Sequence, residues 1–316
     1  MTANDYLTKD EIKELLTKSD FKATLEVLNT WFWISASMAL VYFWTNPVTI
    51  LGALFVIGGK QLACAIIMHD TSHYALFKSK RANQVLGNIF GGYPLFVDLT
   101  RYRPYHLSHH SHTGQDNDPD IGLTTGYPAG KASFTRKILR DLFGFTGIKA
   151  FFGLMMIQTG LLKFTLEGSK PDWLPKSERK GLYHLVIFFK NMWGPLLVNF
   201  TLWLVLWIIG AGWLYLLWVA AYFTTYQFSL RIRSIAEHSV VPDSLDNQVN
   251  TRTTYANFLE KMLFAPHHVN YHAEHHLLMT VPSYNLPKMH LLLKERGFYE
   301  KGLLEPNYIE IIKLAS

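Results

Sequence analysis

Two pairs of long apolar stretches most constrain what this chain can fold into. Residues 27–44 carry no charged side chain and residues 48–68 carry only Lys60, with a three-residue turn between them. A second uncharged pair, residues 192–209 and 213–230, turns at a Gly-Ala-Gly sequence. Each stretch approaches the roughly 20 residues with which a helix crosses a bilayer. The sequence therefore predicts an all-α integral membrane protein whose four spans form two helical hairpins.

The composition supports this interpretation. Charged residues make up 17% of the chain, below the roughly 25% of soluble domains. Aromatic residues reach 15%, and such rings are enriched where a membrane meets water. A net charge of +6 suits nucleic acid, anionic lipid or acidic ligands, and the apolar content favours a membrane over nucleic acid. Cys64 is the one cysteine, so an internal disulfide and a four-cysteine iron–sulfur cluster are both excluded.

Lysine and arginine set the expected orientation. Neither hairpin turn contains them, whereas residues 9–22 and the segment after residue 230 are basic. The positive-inside rule then leaves both turns outside and the remaining segments in the cytosol, where they form a helical cap. Lys60 is expected to snorkel along its own helix towards the interface, and a role facing the interior of the helical bundle is the alternative.

The segments outside the spans are expected to lie on the membrane surface. Thr8 and Glu11 have the spacing of a capping box, and residues 8–28 read as amphipathic interfacial helix. Residues 137–164 are apolar but interrupted by charges, which predicts a further interfacial helix. The expected organisation is an interfacial segment at 1–28, a membrane domain at 29–293 and a cytosolic tail at 294–316.

Three histidine clusters supply the chemistry. Residues three and four apart share a face of a helix, and eight of the 14 histidines have that spacing: His69, His73, His106, His109, His110, His272, His275 and His276. Three such faces converging would hold two metal ions, whereas His184 and His290 stand alone and are expected to be ordinary buried or surface residues. Imidazole suits zinc, copper, iron and nickel, but zinc has no redox chemistry. Apolar surroundings favour a redox metal that uses oxygen to attack a C–H bond. The spacing of the histidines does not distinguish iron from copper.

The order and spacing of these clusters resemble the three histidine boxes of the membrane fatty acid desaturase family. The stretches 270–276 and 282–287 are similar to those of bacterial members. The resemblance implies two iron ions held by the eight histidines, O2 as co-substrate, and removal of two hydrogens from a fatty-acyl chain. It also implies one further ligand after the last span, which matches His238. Ser234 stands where members often have an Asn that acts through water.

Neighbouring polar residues are candidates for orienting the ligands or binding substrate. Imidazoles that ligate metals usually donate their second N–H to another group, and the candidates near the boxes are Asp70, His112, Ser234, Glu237 and Asn270. The acidic residues Asp116, Asp118, Asp120 and Glu274 are weaker candidates, and His267 and His268 are not assigned to the ligand set. Arg101, Arg103 and Arg252 could hold an anionic head group, although positive-inside surface charge is the better explanation of them.

Several alternatives stay open at this point. The expected substrate is a fatty-acyl lipid, an acyl-CoA or an acyl carrier protein, with electrons from a separate cytochrome b5-type or ferredoxin-type donor. A hydroxylase or ketolase would use the same boxes, and a sphingoid base or a small amino-acid-like molecule could replace the acyl chain. A membrane metal transporter would need polar groups along the spans, which offer few. The expected location is the bacterial inner membrane first and the endoplasmic reticulum second.

Overall fold

The computed structural model of the protein describes residues 2–164 and 172–316, which are mostly helical. Two short strands, β1 and β2, pair in parallel, with Arg252 opposite Leu303. The helices are α1 Lys9–Leu15, α2 Asp20–Phe43, α3 Pro47–Ser72, α4 Lys80–Gly87, α5 Leu99–His112, α6 Ile121–Thr124, α7 Lys131–Leu142, α8 Phe145–Gln158, α9 Gly181–Ile208, α10 Tyr215–Phe223, α11 Thr225–His238, α12 Phe258–Leu263, α13 His272–Leu277, α14 Leu286–Glu295 and α15 Tyr308–Ala315, with β1 at Arg252–Thr254 and β2 at Leu303–Glu305.

The first hairpin consists of α2 and α3. Asn46 caps α3, because its side-chain oxygen accepts hydrogen bonds from the N–H groups of Val48 and Thr49 at 3.0 and 3.1 Å. Pro47 occupies the first helical position, where its missing N–H costs nothing. The two helices pack along their length around Ile34, Met38 and other buried apolar side chains. Both apolar stretches of the first predicted hairpin therefore lie within helices.

The second pair of stretches differs from the expectation. Helix α9 begins eleven residues before the predicted span, at Gly181, and ends at a turn where Gly210 has a φ of +76°. The fourth stretch is two helices, because the backbone breaks at Thr224 with φ −117° and ψ −89°. Gly147 of α8 packs there, so closely that a Cβ on it would lie 2.2 Å from the carbonyl oxygen of Phe223. The prediction of one continuous helix over residues 213–230 is wrong.

Two helices among the described residues are long and apolar enough to cross a bilayer, namely α3 and α9. Helix α9 buries only 28% of its most apolar 18-residue window, against 61% for α3. An apolar helix that leaves most of its surface uncovered is unlike the core helix of a soluble protein. The arrangement with four spans stays a prediction.

The remaining segments build the cap. The predicted capping box is confirmed, since Thr8 N–H donates to Glu11 at 2.8 Å and Glu11 N–H donates to Thr8 Oγ1 at 3.3 Å. Residues 137–164 form two helices, α7 and α8, separated by Gly144 with a φ of +82°. Residues 294–316 are folded into the core, because Tyr308 and Ile311 of α15 are buried against α11.

Lys60 does not snorkel. Only 4% of the residue is exposed, because α3 is covered closely at this level. A Cβ on Gly58 would lie 2.7 Å from the carbonyl carbon of Thr225 and from the backbone nitrogen of Tyr226, and one on Gly59 would lie 2.3 Å from the carbonyl oxygen of Met262. Glycine is required for this approach of α11 and α12 to α3. The expectation that Lys60 reaches the interface is wrong, and its ammonium group lies inside the helical bundle.

Candidate metal centre

Four segments bring nine histidines together. His69 lies near the end of α3, and His73 follows immediately after that helix. Helix α5, which Asp98 caps through the N–H of Thr100 at 2.7 Å, carries the second cluster. The last residue of α11 is His238, and the short helix α13 carries the third cluster. The convergence that the sequence predicted is present.

The nine side chains divide into two groups. In the first histidine group, each residue offers one nitrogen and these nitrogens all lie within 4.8 Å of one another; its members are His69, His73, His106, His110 and His275. In the second histidine group, three nitrogens meet the same limit and His272 joins through His238, their Nε2 atoms being 2.8 Å apart; its members are His109, His238, His272 and His276.

Adjacent histidines go to different groups. His109 and His110 are neighbours on α5 but belong to the second and first group respectively, and His275 and His276 divide in the opposite order. Successive side chains on a helix point about 100° apart, so one short helix can serve two centres. The adjacent histidines of the second and third boxes are therefore what let α5 and α13 contribute to both groups.

The spacing of the nitrogens fits metal ligation. The Nε2 atoms of His106 and His73 are 3.0 Å apart, those of His110 and His106 are 3.1 Å apart, and those of His275 and His110 are 3.1 Å apart. Two nitrogens at right angles around an ion, each at about 2.1 Å, would be about 3.0 Å apart. The first histidine group has the geometry of ligands around one ion.

Buried histidine nitrogens without a hydrogen-bond partner also indicate metal ligation. Within the described residues, the Nε2 atoms of His69 and His276 are buried and have no hydrogen-bond partner. Buried polar atoms are nearly always satisfied, so an exception in each group requires an acceptor of its lone pair. A set of neutral imidazoles suits first-row transition metals such as iron and copper. The residues fit two such ions.

Carbonyl and carboxylate oxygens orient several imidazoles by contacting the Nδ1 atom of the ring. His69 Nδ1 is 2.7 Å from Asp70, His109 Nδ1 is 2.8 Å from Asp118, and His238 Nδ1 is 3.2 Å from the carbonyl oxygen of Asn250. Each contact places the proton on Nδ1 and leaves Nε2 free to ligate. Asp118 is held in turn by the N–H groups of Gly114 and Asp120, both at 2.9 Å.

Burial keeps the ligand set neutral. It lowers the pKa of most cap imidazoles well below the ordinary 6.5, namely those of His106, His110, His272, His275 and His276. Burial likewise lowers the pKa of His73 and His238 to about 3. Burial also opposes protonation of His109, but its hydrogen bond to Asp118 and the nearby carboxylates outweigh that effect and raise its pKa. Neutral nitrogens are the form that binds a metal.

The structure separates the residues proposed to orient the ligands. Asp70 contacts His69, and Glu237 lies 3.5 Å from His272 while it is paired with Arg233. The others are bonded to backbone carbonyl oxygens instead: His112 to Ser108 at 2.9 Å, Ser234 to Leu230 at 2.9 Å and Asn270 to Thr254 at 3.0 Å. Of the weaker acidic candidates, Asp118 contacts a ligand, Asp120 supports Asp118 through its N–H, and Asp116 is exposed.

The three arginines have different surroundings. Arg252 is 3% exposed, and its guanidinium donates to the carbonyl oxygens of Ser239 and Val240 at 3.0 and 2.9 Å. It therefore ties β1 to the end of α11, which favours a structural role over contact with a substrate head group. Arg101 and Arg103 are only partly buried. Arg101 bonds Gln158, and Arg103 stacks on the Tyr74 ring, 4.0 Å from its centroid.

Sequence reasoning named Glu274 as a candidate but missed its partners, Thr253 and His290. Glu274 lies between its histidines but faces away from them, and accepts hydrogen bonds from Thr253 at 2.5 Å and from His290 Nδ1 at 2.6 Å. The expectation that His290 is an ordinary buried residue is confirmed, as it is for His184, which bonds the Thr159 carbonyl oxygen at 2.9 Å. Glu274, the acidic residue inside the cluster, was the available signal in the sequence, but its partner His290 lies 16 positions later.

His267 and His268 lie outside both groups. His267 Nε2 is 2.7 Å from Thr30 Oγ1, which links the chain just before the third cluster to α2. Both residues have positive φ angles, +51° and +59°, which are uncommon for side chains other than glycine. The strained turn directs His267 between α2 and α3, away from the metal centre.

Comparison with known proteins agrees with this geometry. The sequence model described as fatty acid desaturase matches residues 23–306. The chain is 29% identical over 270 residues to dihydrorhizobitoxine desaturase of Bradyrhizobium elkanii, covering 83% of this chain and 71% of that protein. It is 25% identical over 273 residues to the sn-1 oleoyl-lipid 12-desaturase of a Synechocystis strain, covering 82% of this chain and 68% of that protein.

Proposed function

The chain belongs to the fatty acid desaturase family, which makes it an oxidoreductase, and on that premise we propose that it desaturates a fatty-acyl chain with O2 at two iron ions. The observation that carries the proposal is the division of nine buried or half-buried histidines into two groups of imidazole nitrogens. Such a set suits a redox metal beside apolar surroundings rather than a hydrolytic centre, where carboxylates often bridge the ions.

Each group would hold one ion. When bound, the two iron ions supply the oxygen chemistry, which the protein itself cannot perform. The chain's own residues fix the positions: Asp70 and Asp118 orient one imidazole in each group, and Asn250 orients His238. Burial of the ligands excludes bulk water from the centre. The protein therefore positions the ligands, keeps most of them uncharged and keeps bulk water away from the centre.

The reaction requires partners outside the chain. Removing two hydrogens from a –CH2–CH2– unit and reducing one O2 to two waters consumes two electrons and two protons. Cys64 alone cannot hold an iron–sulfur cluster, so we propose an external electron donor of the cytochrome b5 or ferredoxin type. Its identity is a matter for reconstitution experiments.

A membrane location is part of the proposal. Helices α3 and α9 can cross a bilayer, and tryptophans are exposed around the two hairpin turns, at Trp44, Trp207 and Trp213. Amphipathic rings of this kind favour the membrane interface. We propose four spans with the metal centre on the cytosolic side, in a bacterial inner membrane, because both similar proteins come from bacteria.

The proposed substrate is a fatty-acyl lipid. One similar protein is named for an oleoyl-lipid, which supports an acyl chain esterified in a lipid over acyl-CoA or an acyl carrier protein. Arg101 and Arg103 remain proposed contacts for the head group, and one terminal nitrogen of Arg103, Nη2, is buried without a partner among the described residues. A guanidinium of this kind suits a phosphate or carboxylate.

A second candidate is a substrate that is not a lipid. The other similar protein is named as a desaturase of dihydrorhizobitoxine, so the same metal centre on this chain could serve a smaller molecule. A hydroxylase or ketolase outcome would also use this centre. Both alternatives differ from the proposal in the mass or identity of the product.

The test is expression in a desaturase-deficient host, followed by gas chromatography–mass spectrometry of the lipids. His109→Ala and His275→Ala remove one ligand from each group, and His112→Ala is the matched control on the same helix as His109. A fatty acid lighter by two hydrogens, present with wild type and His112→Ala only, is the expected result. A product heavier by one oxygen would replace desaturase with hydroxylase, and unchanged lipids with iron bound would favour the non-lipid substrate. Protein without iron would refute the proposed centre.

A further inference from the structure

Helix α7 turns a face of mixed basic and apolar side chains outwards. Residues three, four and seven positions apart share one face of a helix, and four residues with this spacing are all exposed: Arg136, Leu139, Arg140 and Phe143. The opposite face is the packed one, since Phe134 and Asp141 are buried. An amphipathic helix usually buries its large apolar side chains, so the exposure of Phe143, at 71%, requires an apolar neighbour outside the protein.

The packing of α7 against α11 fixes this orientation. The Asp141 side chain is fully buried and paired with Arg231 of α11, whose Nη2 donates to it at 2.9 Å. The same guanidinium donates to the Tyr127 hydroxyl at 3.1 Å, and Phe134 lies in one apolar cluster with Ile232 of α11. Rotating α7 would break a buried ion pair, which is costly. The mixed face therefore stays outwards.

Helix α8 extends the surface with apolar side chains. Phe145, Ile148 and Phe152 share one face of α8 and are exposed, and Phe145 lines a shallow groove together with the outward face of α7. Helix α8 packs against α9 and α10 of the second hairpin, whereas α7 packs against α11. The groove therefore lies where the apolar helices of that hairpin meet the cap.

The two arginines of the groove are free to bind an anion. Within residues 2–164 and 172–316, neither guanidinium pairs with a carboxylate, and the one polar side chain near them is Ser133, whose Oγ is 3.4 Å from Arg136 Nη2. Asp141 is the single acidic residue of α7, and it is engaged by Arg231. Guanidinium groups bind phosphate through paired N–H donors, and Arg136 and Arg140 stand one helical turn apart.

We propose that the groove between α7 and α8 binds an anionic phospholipid. Its phosphate contacts Arg136 and Arg140, and its acyl chain lies along Phe143 and Phe145. A ligand with a negative head and an apolar tail matches both halves of the groove, as basic interfacial segments match anionic lipids. Neither helix contributes to the histidine groups, so this lipid is a bound neighbour of the enzyme and not its substrate. The inference rests on the proposed membrane location and is independent of the reaction.

The first test is native mass spectrometry of the full-length, iron-loaded protein, titrated with phosphatidylglycerol or with phosphatidylcholine of the same acyl chains. A basic residue near an anionic surface contributes about fivefold to affinity, so Arg136→Gln/Arg140→Gln should weaken phosphatidylglycerol binding about 25-fold. Arg136→Lys/Arg140→Lys should keep most of the affinity, and phosphatidylcholine should bind all variants alike.

The matched control is Arg81→Gln/Lys301→Gln, which removes two exposed cations elsewhere on the surface and should leave phosphatidylglycerol binding unchanged. Equal weakening in the two glutamine double variants would mean that net charge alone attracts the lipid, and unchanged binding in the α7 variant would refute the site. Iron content should stay at the wild-type level in every variant, which reports an intact fold. Protein that binds the lipid but forms no double bond would refute the proposed reaction and leave this site standing.

The second test separates a lipid from a free phosphate and from a second copy of the chain. Phe143→Ala/Phe145→Ala should weaken phosphatidylglycerol binding, and glycerol phosphate, which has no acyl chain, should not displace the lipid. Displacement by glycerol phosphate at equal concentration, or full affinity in the alanine variant, would overturn the lipid assignment. A dimer in light scattering that this variant dissociates, without lipid bound to wild type, would assign the groove to a second copy instead.

Discussion

Asp118 offers the sharpest test that the two histidine groups are separate sites. Its side chain is 4% exposed and accepts three hydrogen bonds, from His109 Nδ1 at 2.8 Å and from the N–H groups of Gly114 and Asp120 at 2.9 Å. The first histidine group has no contact with it. Asp118→Asn keeps the size of the side chain and replaces one accepting oxygen with an NH2 group.

The size of the effect follows from that exchange. If the remaining oxygen serves His109, the new NH2 group faces the N–H of Gly114, and a hydrogen bond to a charged acceptor is lost. Such a loss costs about 1.5–3 kcal/mol, or about 10–100-fold in an equilibrium constant. Removing a residue that orients a ligand typically weakens metal binding by the same factor. We expect the second group to lose iron affinity by about 10–100-fold.

Iron content at equilibrium with a graded series of chelators is the assay. Wild type should release its iron in two steps, and Asp118→Asn should move only the step that belongs to the second group. Asp116→Asn, an exposed carboxylate in the same loop, should change neither step. Equal weakening of both steps would mean that the two groups are not independent, and an unchanged curve would mean that Asp118 does not support His109.

Three further outcomes follow from the packing. Gly58→Ala should lower the free energy of unfolding by about 1–3 kcal/mol, because the added methyl group overpacks against α11. Thermal unfolding in detergent measures this, and Gly52→Ala, which has open space at its Cβ, is the control that should not lower the stability. Arg252→Ala should lower the unfolding temperature and leave the KM for every acyl carrier unchanged; a raised KM would return it to the head-group role. Glu11, whose hydrogen bond to Arg296 lowers its pKa from 4.5 to about 2, favours the docked α1 above pH 4.5, and this contribution should disappear between pH 4.5 and 2. The protection factor for hydrogen exchange in α1 should therefore fall over that range in wild type and lose most of this pH dependence in Arg296→Gln.

The sequence predicted which histidines come together better than it predicted how these histidines divide into two groups. Each box was expected to present its histidines in one direction, since spacings of three and four share a face. The same helical geometry separates adjacent residues by about 100°, and His109 and His110 differ in group for that reason. Whether that angle sends two adjacent histidines to different groups depends on the positions of the neighbouring helices. The spacing of residues within one box gives no information about those positions.

The departures from prediction have tertiary causes. The break at Thr224 lies where Gly147 of α8 approaches the backbone, and nothing within residues 213–230 marks it except a pair of threonines. Lys60 looked like a snorkelling side chain because its own helix is apolar, but two glycines before it admit α11 and α12. Asp118 lies nine residues after His109, in the loop that follows α5, and its acidic neighbours were equally plausible from the sequence.

Helix α15 packs against α11, whose last residue is His238. The two histidine groups also draw on side chains that span the chain from His69 to His276. During synthesis, the first two clusters therefore emerge long before the partners that complete either group. For that period the imidazoles of α3 and α5 have no third cluster to meet, and neither histidine group has all of its members. Metal loading should accordingly be a late event, coupled to the docking of the last helix.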